Sequence, residues 1–166
     1  MISYGIAIHH ITTTKGDGFL SFNKYPNVKW QLTHCARSFN PFFLEKSVDY
    51  LRHIPNIYFD TSAVCESDVF SILLSEIDSS RILFGSDNIP IHLEGGKYIS
   101  YGNAWMFLSP KSCNLNLTHC EPQTIPVVYE KLRALKYAVK QTHLNLRDIE
   151  NIFYNNAKRI LESITA

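Results

Sequence analysis

Residues 28–87 read VKWQLTHCARSFNPFFLEKSVDYLRHIPNIYFDTSAVCESDVFSILLSEIDSSRILFGSD, and this stretch decides the fold. Val28 to Thr33 is β-prone and ends at His34. Asn40-Pro41 supplies an N-cap followed by proline at the first helical position, and Leu44, Val48 and Leu51 recur at helical spacing. Pro55-Asn56 closes that helix, and Ile57-Tyr58-Phe59 with Thr61 behind it makes the next strand. Ser67 is the expected cap of a second helix with a stripe of Phe70, Leu73, Leu74 and Ile77. Arg81 to Phe84 is then a strand running into Gly85-Ser86-Asp87. Strand and helix in alternation imply an α/β fold of parallel strands joined by right-handed crossovers, with the helices packed outside the sheet.

Upstream, Ile2 to Ile8 is an apolar run that ends in His9 and His10 and the polar ITTTKGDG, so it reads as a buried strand feeding a loop. Downstream, residues 88–123 look irregular, with Gly95-Gly96 and Pro110. Compact domains reserve such lengths for functional loops, and this one is expected over one end of the sheet. A long amphipathic helix starts near Pro126 with the stripe Val128, Leu132, Leu135 and Val139. Asn145 with Asp148 resembles a capping box for a final helical pair carrying Ile149, Ile152, Phe153, Ile160 and Leu161. With no repeat or low-complexity segment, residues 1–166 read as a single domain.

Sixteen Lys and Arg against fifteen Asp and Glu, with no run of one sign, exclude a surface that tracks a phosphate backbone or an anionic membrane. Apolar runs such as Ile6 to Ile8 fall far short of the roughly 18 residues that span a bilayer. The start, MISYGIAIHH, has neither a basic region nor a small-residue cleavage pattern, so a cytoplasmic location is expected. Cys35, Cys65, Cys113 and Cys120 form no CxxC pair and read as free thiols; the segment from Cys113 to Cys120, with His119, has an unusual spacing for a metal loop.

Chemistry concentrates at strand ends: His9 and His10 after the first strand, His34 after the second, Asp87 after the last. In parallel α/β folds side chains donated beyond the carboxyl ends of different strands converge, and imidazole with carboxylate suits zinc and similar ions. Taken singly, each residue is as readily a hydrogen-bonded structural histidine or a turn-capping aspartate; their coincidence at one end carries the functional reading. His9 and His10 cannot both contribute from a regular strand. Arg37 is a carboxylate clamp or a solvated arginine, and His53, His92 and His143 have no partner in sequence.

VKWQLTHCARSFN (28–40) is similar to the sixth-strand segment of the amidohydrolase superfamily, and RILFGSD (81–87) resembles its eighth-strand motif. YEKLRALKYA and DIENIFYNNAKRIL look like its closing helices. The resemblance runs from about residue 1 to 164. It implies the C-terminal half, strands five to eight, of a TIM-type (β/α) barrel. It implies a hydrolase, or a related decarboxylase, acting on a small carbonyl-containing substrate through a metal-activated water. His10 (or His9), His34 and Asp87 would hold a divalent metal, zinc by ligand type; Asp87 and His34 would be catalytic, and Arg37 would sit beside the substrate. The pattern departs from the family in three respects: none of the histidines at 9, 10, 34, 53, 92, 119 and 143 are two apart, so no His-x-His donor is present; the first four strands have no counterpart; and the crossover from His10 to Val28 is near the minimum of about a dozen residues for a parallel connection. Four parallel strands leave open edges, so a homodimer or a complementing N-terminal half is the expected partner. A non-catalytic half-barrel remnant or assembly module is the alternative, and an open flavodoxin-like binding domain ranks behind both.

Overall fold

The computed structural model of the chain describes residues 6–9, 22, 24–87, 89–109 and 125–165. Among these, β1 (Ile6–His9), β2 (Lys29–Leu32), β3 (Ile57–Asp60) and β4 (Ile82–Leu83) form a parallel sheet in the order β1-β2-β3-β4. Strand order equals chain order, so every crossover steps in the same direction. Right-handed crossovers of that kind place their helices on one face of the sheet.

The register shows which face. Trp30 and Leu32 of β2 are level with Ile57 and Phe59 of β3, and Phe59 is level with Ile82 of β4. This row is buried with Leu44, Val48 and Leu51 of α1 (Pro41–Leu51) and with Val69, Phe70 and Leu73 of α2 (Ser67–Glu76). Asn40 caps α1 as expected, its side chain accepting from Phe42 N at 2.9 Å. At α2 the expectation fails: Ser67 is the first helical residue, and Glu66 stands at the cap without a side-chain bond because its carboxylate instead accepts from Ser100 N at 3.3 Å. The opposite row holds Gln31 and Tyr58, both half-buried, then Asp60 and Leu83, both buried.

The last strand is shorter than its sequence suggests. Asp78 accepts from Ser80 N at 2.8 Å and winds Ser79–Arg81 into a 3₁₀ turn, so Arg81 is outside β4. Leu83 faces β3, its carbonyl accepting from Thr61 N at 3.0 Å, so by alternation Ile82 and Phe84 turn their backbone groups to the outer edge. Both are taken by the C-terminal segment, α5 (Leu146–Glu150), a π-turn (Asn151–Asn155) and α6 (Asn156–Thr165). Asn156 Nδ2 donates to Ile82 O (2.9 Å) and Ser79 O (2.7 Å), and Phe84 N donates to Ile152 O at 2.9 Å. The π-turn makes this possible: Asn156 N bonds to Asn151 O, which leaves Ile152 O to face the sheet.

Residues 89–109 are more regular than the sequence suggests. They form α3 (Ile89–Leu93) and an antiparallel hairpin, β5 (Lys97–Tyr101) and β6 (Ala104–Leu108). The turn is Gly102-Asn103, where Gly102 has φ +55. The hairpin does lie over one end of the sheet: Asn40 Nδ2 donates to Gly102 O (2.7 Å) and Ala104 O (3.1 Å), and Phe39 packs on Tyr98 and Trp105 at 4.5 and 4.4 Å between ring centroids.

The long helix α4 (Val127–Thr142) begins after Pro126, as expected, but the buried row is Val127, Lys131, Ala134, Leu135 and Ala138. Small alanines let it approach α2; of the expected stripe Leu135 is in the buried row, and with Leu132 and Val139 it lines an apolar groove completed by Ile149 and Phe153. No helix of the described residues is long and apolar enough to cross a membrane. The edge cap of β4 yields a measurable expectation. Replacing fully buried Asn156 with Ala strands the Ile82 carbonyl at about 1–3 kcal/mol and removes one bond to the Ser79 carbonyl, which keeps Ile82 N–H, at about 0.5–1.5 kcal/mol, so urea unfolding is expected to show a loss of about 2–4 kcal/mol.

Candidate functional site

The carboxyl ends of β2, β3 and β4 meet at Asp60, the last residue of β3 and only 5% exposed. A buried carboxylate is tolerated when donors replace its water. Gln31 Nε2 donates to Oδ2 at 2.8 Å, while Ser62 N at 2.7 Å, His34 N at 3.4 Å and the Ser62 hydroxyl all donate to Oδ1. Asp60 therefore ties two strands to the two loops that follow them. Nothing in the sequence reading singled it out; the available signal was an acidic residue ending an otherwise apolar strand, followed by Thr61 and Ser62.

His34 does not end its strand. β2 stops at Leu32, and His34, Cys35, Ala36 and Arg37 have φ of 56, 52, 62 and 59, one turn of left-handed helix closed by Ser38 N to His34 O at 2.8 Å. Left-handed backbone costs a non-glycine residue roughly 1–2 kcal/mol, so four in succession are sustained by what surrounds them. The turn buries His34 and Cys35 and leaves Arg37 exposed. His34 Nδ1 lies 3.0 Å from both the carbonyl and the hydroxyl oxygen of Ser62. A carbonyl only accepts, so Nδ1 carries a proton.

Asp87 lies at the exit of β4, exposed, with φ +69. Between β4 and Asp87 sits Gly85, where a side chain would meet Asp60 at 3.2 Å and Ser62 at 3.3 Å, so the loop passes close against the carboxylate hub. The Gly85 carbonyl accepts from Lys131 of α4. Lys131 is fully buried, its ammonium 3.8 Å from the centroid of the Phe84 ring. Burial lowers its pKa to about 8, against the opposing pull of Asp60, Cys65, Cys35 and Asp87. The thiol of Cys35 is pushed well up and that of Cys65 to about 11, in both cases chiefly by burial, which leaves neither a ready nucleophile. His92 of α3 joins the same surroundings: burial and Lys131 lower its pKa, and Asp87 raises it.

Of the expected metal donors, His34 and Asp87 are thus at the same end of the sheet, while His10 lies outside the described residues. His9 closes β1, level with Leu32. The donor chemistry suits a divalent ion, and ligating histidines usually donate their other ring nitrogen to a nearby oxygen, as His34 Nδ1 does to Ser62. Among the described residues, however, no three His, Cys, Asp or Glu converge as a metal cage. Cys113, His119 and Cys120 also fall outside the described residues.

The model of the amidohydrolase family matches residues 20–162. No curated protein and no solved structure matches the chain.

Two outcomes test the site as built. Ala36→Gly relieves a left-handed alanine and is expected to raise stability by up to about 1 kcal/mol in urea unfolding, after the flexibility glycine adds to the unfolded chain. Lys131 has its folded pKa depressed from 10.5 to about 8, so between those values the unfolded chain binds more protons and the lysine's contribution to stability grows as pH rises. Cys35 and Cys65, with raised values, act in the opposite sense. The measurement is therefore the difference in urea midpoint between the natural chain and Lys131→Met, expected to widen in favour of the natural chain from pH 8 to pH 10.

Proposed function

Because this chain belongs to the amidohydrolase family, we propose that it is a hydrolase whose strand-end residues hold a divalent metal, zinc by ligand type, and act on a small carbonyl-containing substrate. The observation that carries the reading is His34, whose Nδ1 is held by Ser62 at the same end of the sheet as Asp87, an orientation in which Nε2 would be the coordinating nitrogen. His34, Asp87 and His10 would be the ligands. A divalent ion at such a site supplies positive charge that polarises a carbonyl and makes water acidic near neutral pH. The exposed carboxylate of Asp87 would accept a proton at the exit of β4. Arg37, exposed at the end of the left-handed turn, would pair with a substrate carboxylate. A cytosolic setting fits the buried thiols Cys35 and Cys65.

The same reading makes the chain the C-terminal half of a TIM-type barrel. Support comes from the sequential parallel order and from the row of Gln31, Tyr58, Asp60 and Leu83 facing away from α1 and α2. A homodimer or a complementing N-terminal half would complete it. A barrel pairs strands at both edges of this sheet, so closure would need the outer groups of β4 to exchange their bonds to Ile152 and Asn156 for bonds to a new strand, as well as pairing at the β1 edge.

One observation favours the second reading, a non-catalytic half-barrel module: the donors do not form a three-residue cage among the described residues. Metal content measured together with native mass separates the two. The hydrolase reading expects a bound divalent ion that is lost in His34→Ala and Asp87→Asn and held up to about tenfold more weakly in Ser62→Ala, which removes the hydroxyl but leaves the carbonyl that meets the His34 ring. A metal-free assembly whose mass is indifferent to Asp87→Asn would instead be the module.

A further inference from the structure

At the amino ends of the strands, away from Asp60 and His34, the surface opens into a cavity of about 650 Å³. Its walls are the turn that closes α1, the end of α2, the 3₁₀ turn before β4, and α6. Arg52, Tyr58, Glu76, Asp78, Arg81 and Arg159 line it, and none of them belongs to the proposed metal site.

The three guanidiniums are not held alike. Arg52 is claimed by carboxylates, Asp49 at 2.7 Å and Glu76 at 2.9 Å. Half-buried Arg81 donates instead to the backbone carbonyls of Arg52 (2.9 Å) and Ile54 (2.5 Å), and Arg159 to the Ser80 carbonyl (3.1 Å) and the side-chain oxygen of Asn156 (2.9 Å). Neutral oxygens orient a guanidinium without cancelling its charge, which is present at every ordinary pH, and each keeps further N–H groups beyond the two bonds described. Among the described residues neither Arg81 nor Arg159 makes an ion pair, and Asp78, whose carboxylate accepts from Ser80 N at 2.8 Å, is the one lining acid outside an ion pair. Two fixed positive groups thus share one negative one. Tying carbonyls at the ends of α1 and the 3₁₀ turn accounts for part of each arginine, but not for two uncompensated charges on the wall of one cavity.

We propose that this cavity binds a small oxyanion of the phosphate type, free or as a monoester, between Arg81 and Arg159. A tetrahedral group offers oxygens in several directions, so two guanidiniums that come from different elements can each bond to it, whereas a planar carboxylate is matched by one fork in its own plane. Both guanidiniums are already held by the fold, so little side-chain freedom is lost when the anion enters. The chain carries no run of positive charge, which makes the ligand one small group and not a polymer. Glu76 on the rim opposes the anion and holds Arg52 back from it.

The test exchanges chloride for inorganic phosphate at constant ionic strength in the full ¹⁵N-labelled chain and follows the assigned Nε–H resonances of its arginines. Those of Arg81 and Arg159 are expected to move together and saturate, while that of Arg133, on the exposed side of α4, stays in place. Arg159→Gln is expected to weaken binding at least about tenfold, the worth of one charge-assisted bond. Glu76→Gln is expected to tighten it about twofold or more by removing a repelling carboxylate, a gain that damage to the fold does not produce. Glycerol phosphate titrated in the same way distinguishes the sources: binding as tight as that of inorganic phosphate marks a monoester site, and loss of binding marks a site for the free ion. No saturation at millimolar phosphate, a shift shared equally by Arg133, or undiminished binding in Arg159→Gln overturns the proposal. If Arg159→Gln does not fold, the unsubstituted chain and Glu76→Gln decide the matter, and the absence of a gain in Glu76→Gln then overturns it.

Discussion

The carboxylate of Asp60 is the interaction on which the rest of the site depends. A charge this deep is expensive unless nearly every lone pair is met, and here Gln31, His34 and Ser62 meet them from two neighbouring strands and their loops. Those same bonds hold Ser62 where its carbonyl and hydroxyl fix the His34 ring. They also explain why a left-handed turn of four non-glycine residues persists: its first residue is bonded through its backbone to Asp60 and through its side chain to Ser62. On the other side, Gly85 passes against Asp60 because it has no side chain, and Lys131 grips that loop by the Gly85 carbonyl. One buried negative charge and one buried positive charge thus bracket the loop that carries Asp87.

The second constraint is the edge of the sheet. A parallel strand exposes backbone groups that another strand will take unless something else does. In β4 those groups are taken within the chain, by the side chain of Asn156 and by a carbonyl that the π-turn releases from its helix. The irregularity in the helix and the order of the strand edge are therefore two views of one arrangement. It also gives the sheet a direction, with one edge sealed by helix and the half-buried row of Gln31 and Tyr58 left on the face opposite α1 and α2.

The hairpin of β5 and β6 plays a comparable part at the carboxyl ends. Its stack of Tyr98 and Trp105 on Phe39 and its backbone bonds to Asn40 cover the ends of the strands next to His34. Asn40 serves twice, capping α1 with its oxygen and binding the hairpin with its nitrogen.

By itself the sequence determined the class of fold, the order of strands and helices through residue 87, the caps at Asn40 and Asn145, and the family to which the chain belongs. These are local matters: spacing of apolar residues, turn chemistry, and short motifs such as RILFGSD. It also pointed to His34 and Asp87 as residues at one end of the sheet. The hairpin of residues 97–108 is not legible as such: without alternating polar and apolar positions its sequence reads as irregular loop. What only the tertiary structure decided depends on groups far apart in the chain. Asp60 and Lys131, 71 positions apart, gain meaning only when burial removes the water that would have screened them. Ser67 lost the cap position because Glu66 is drawn to Ser100, and the stripe of α4 turned because alanines, not leucines, set the closest approach. His92, without a partner in sequence, acquires its neighbours only because α3 is fastened to α4, a contact that spacing along the chain does not encode.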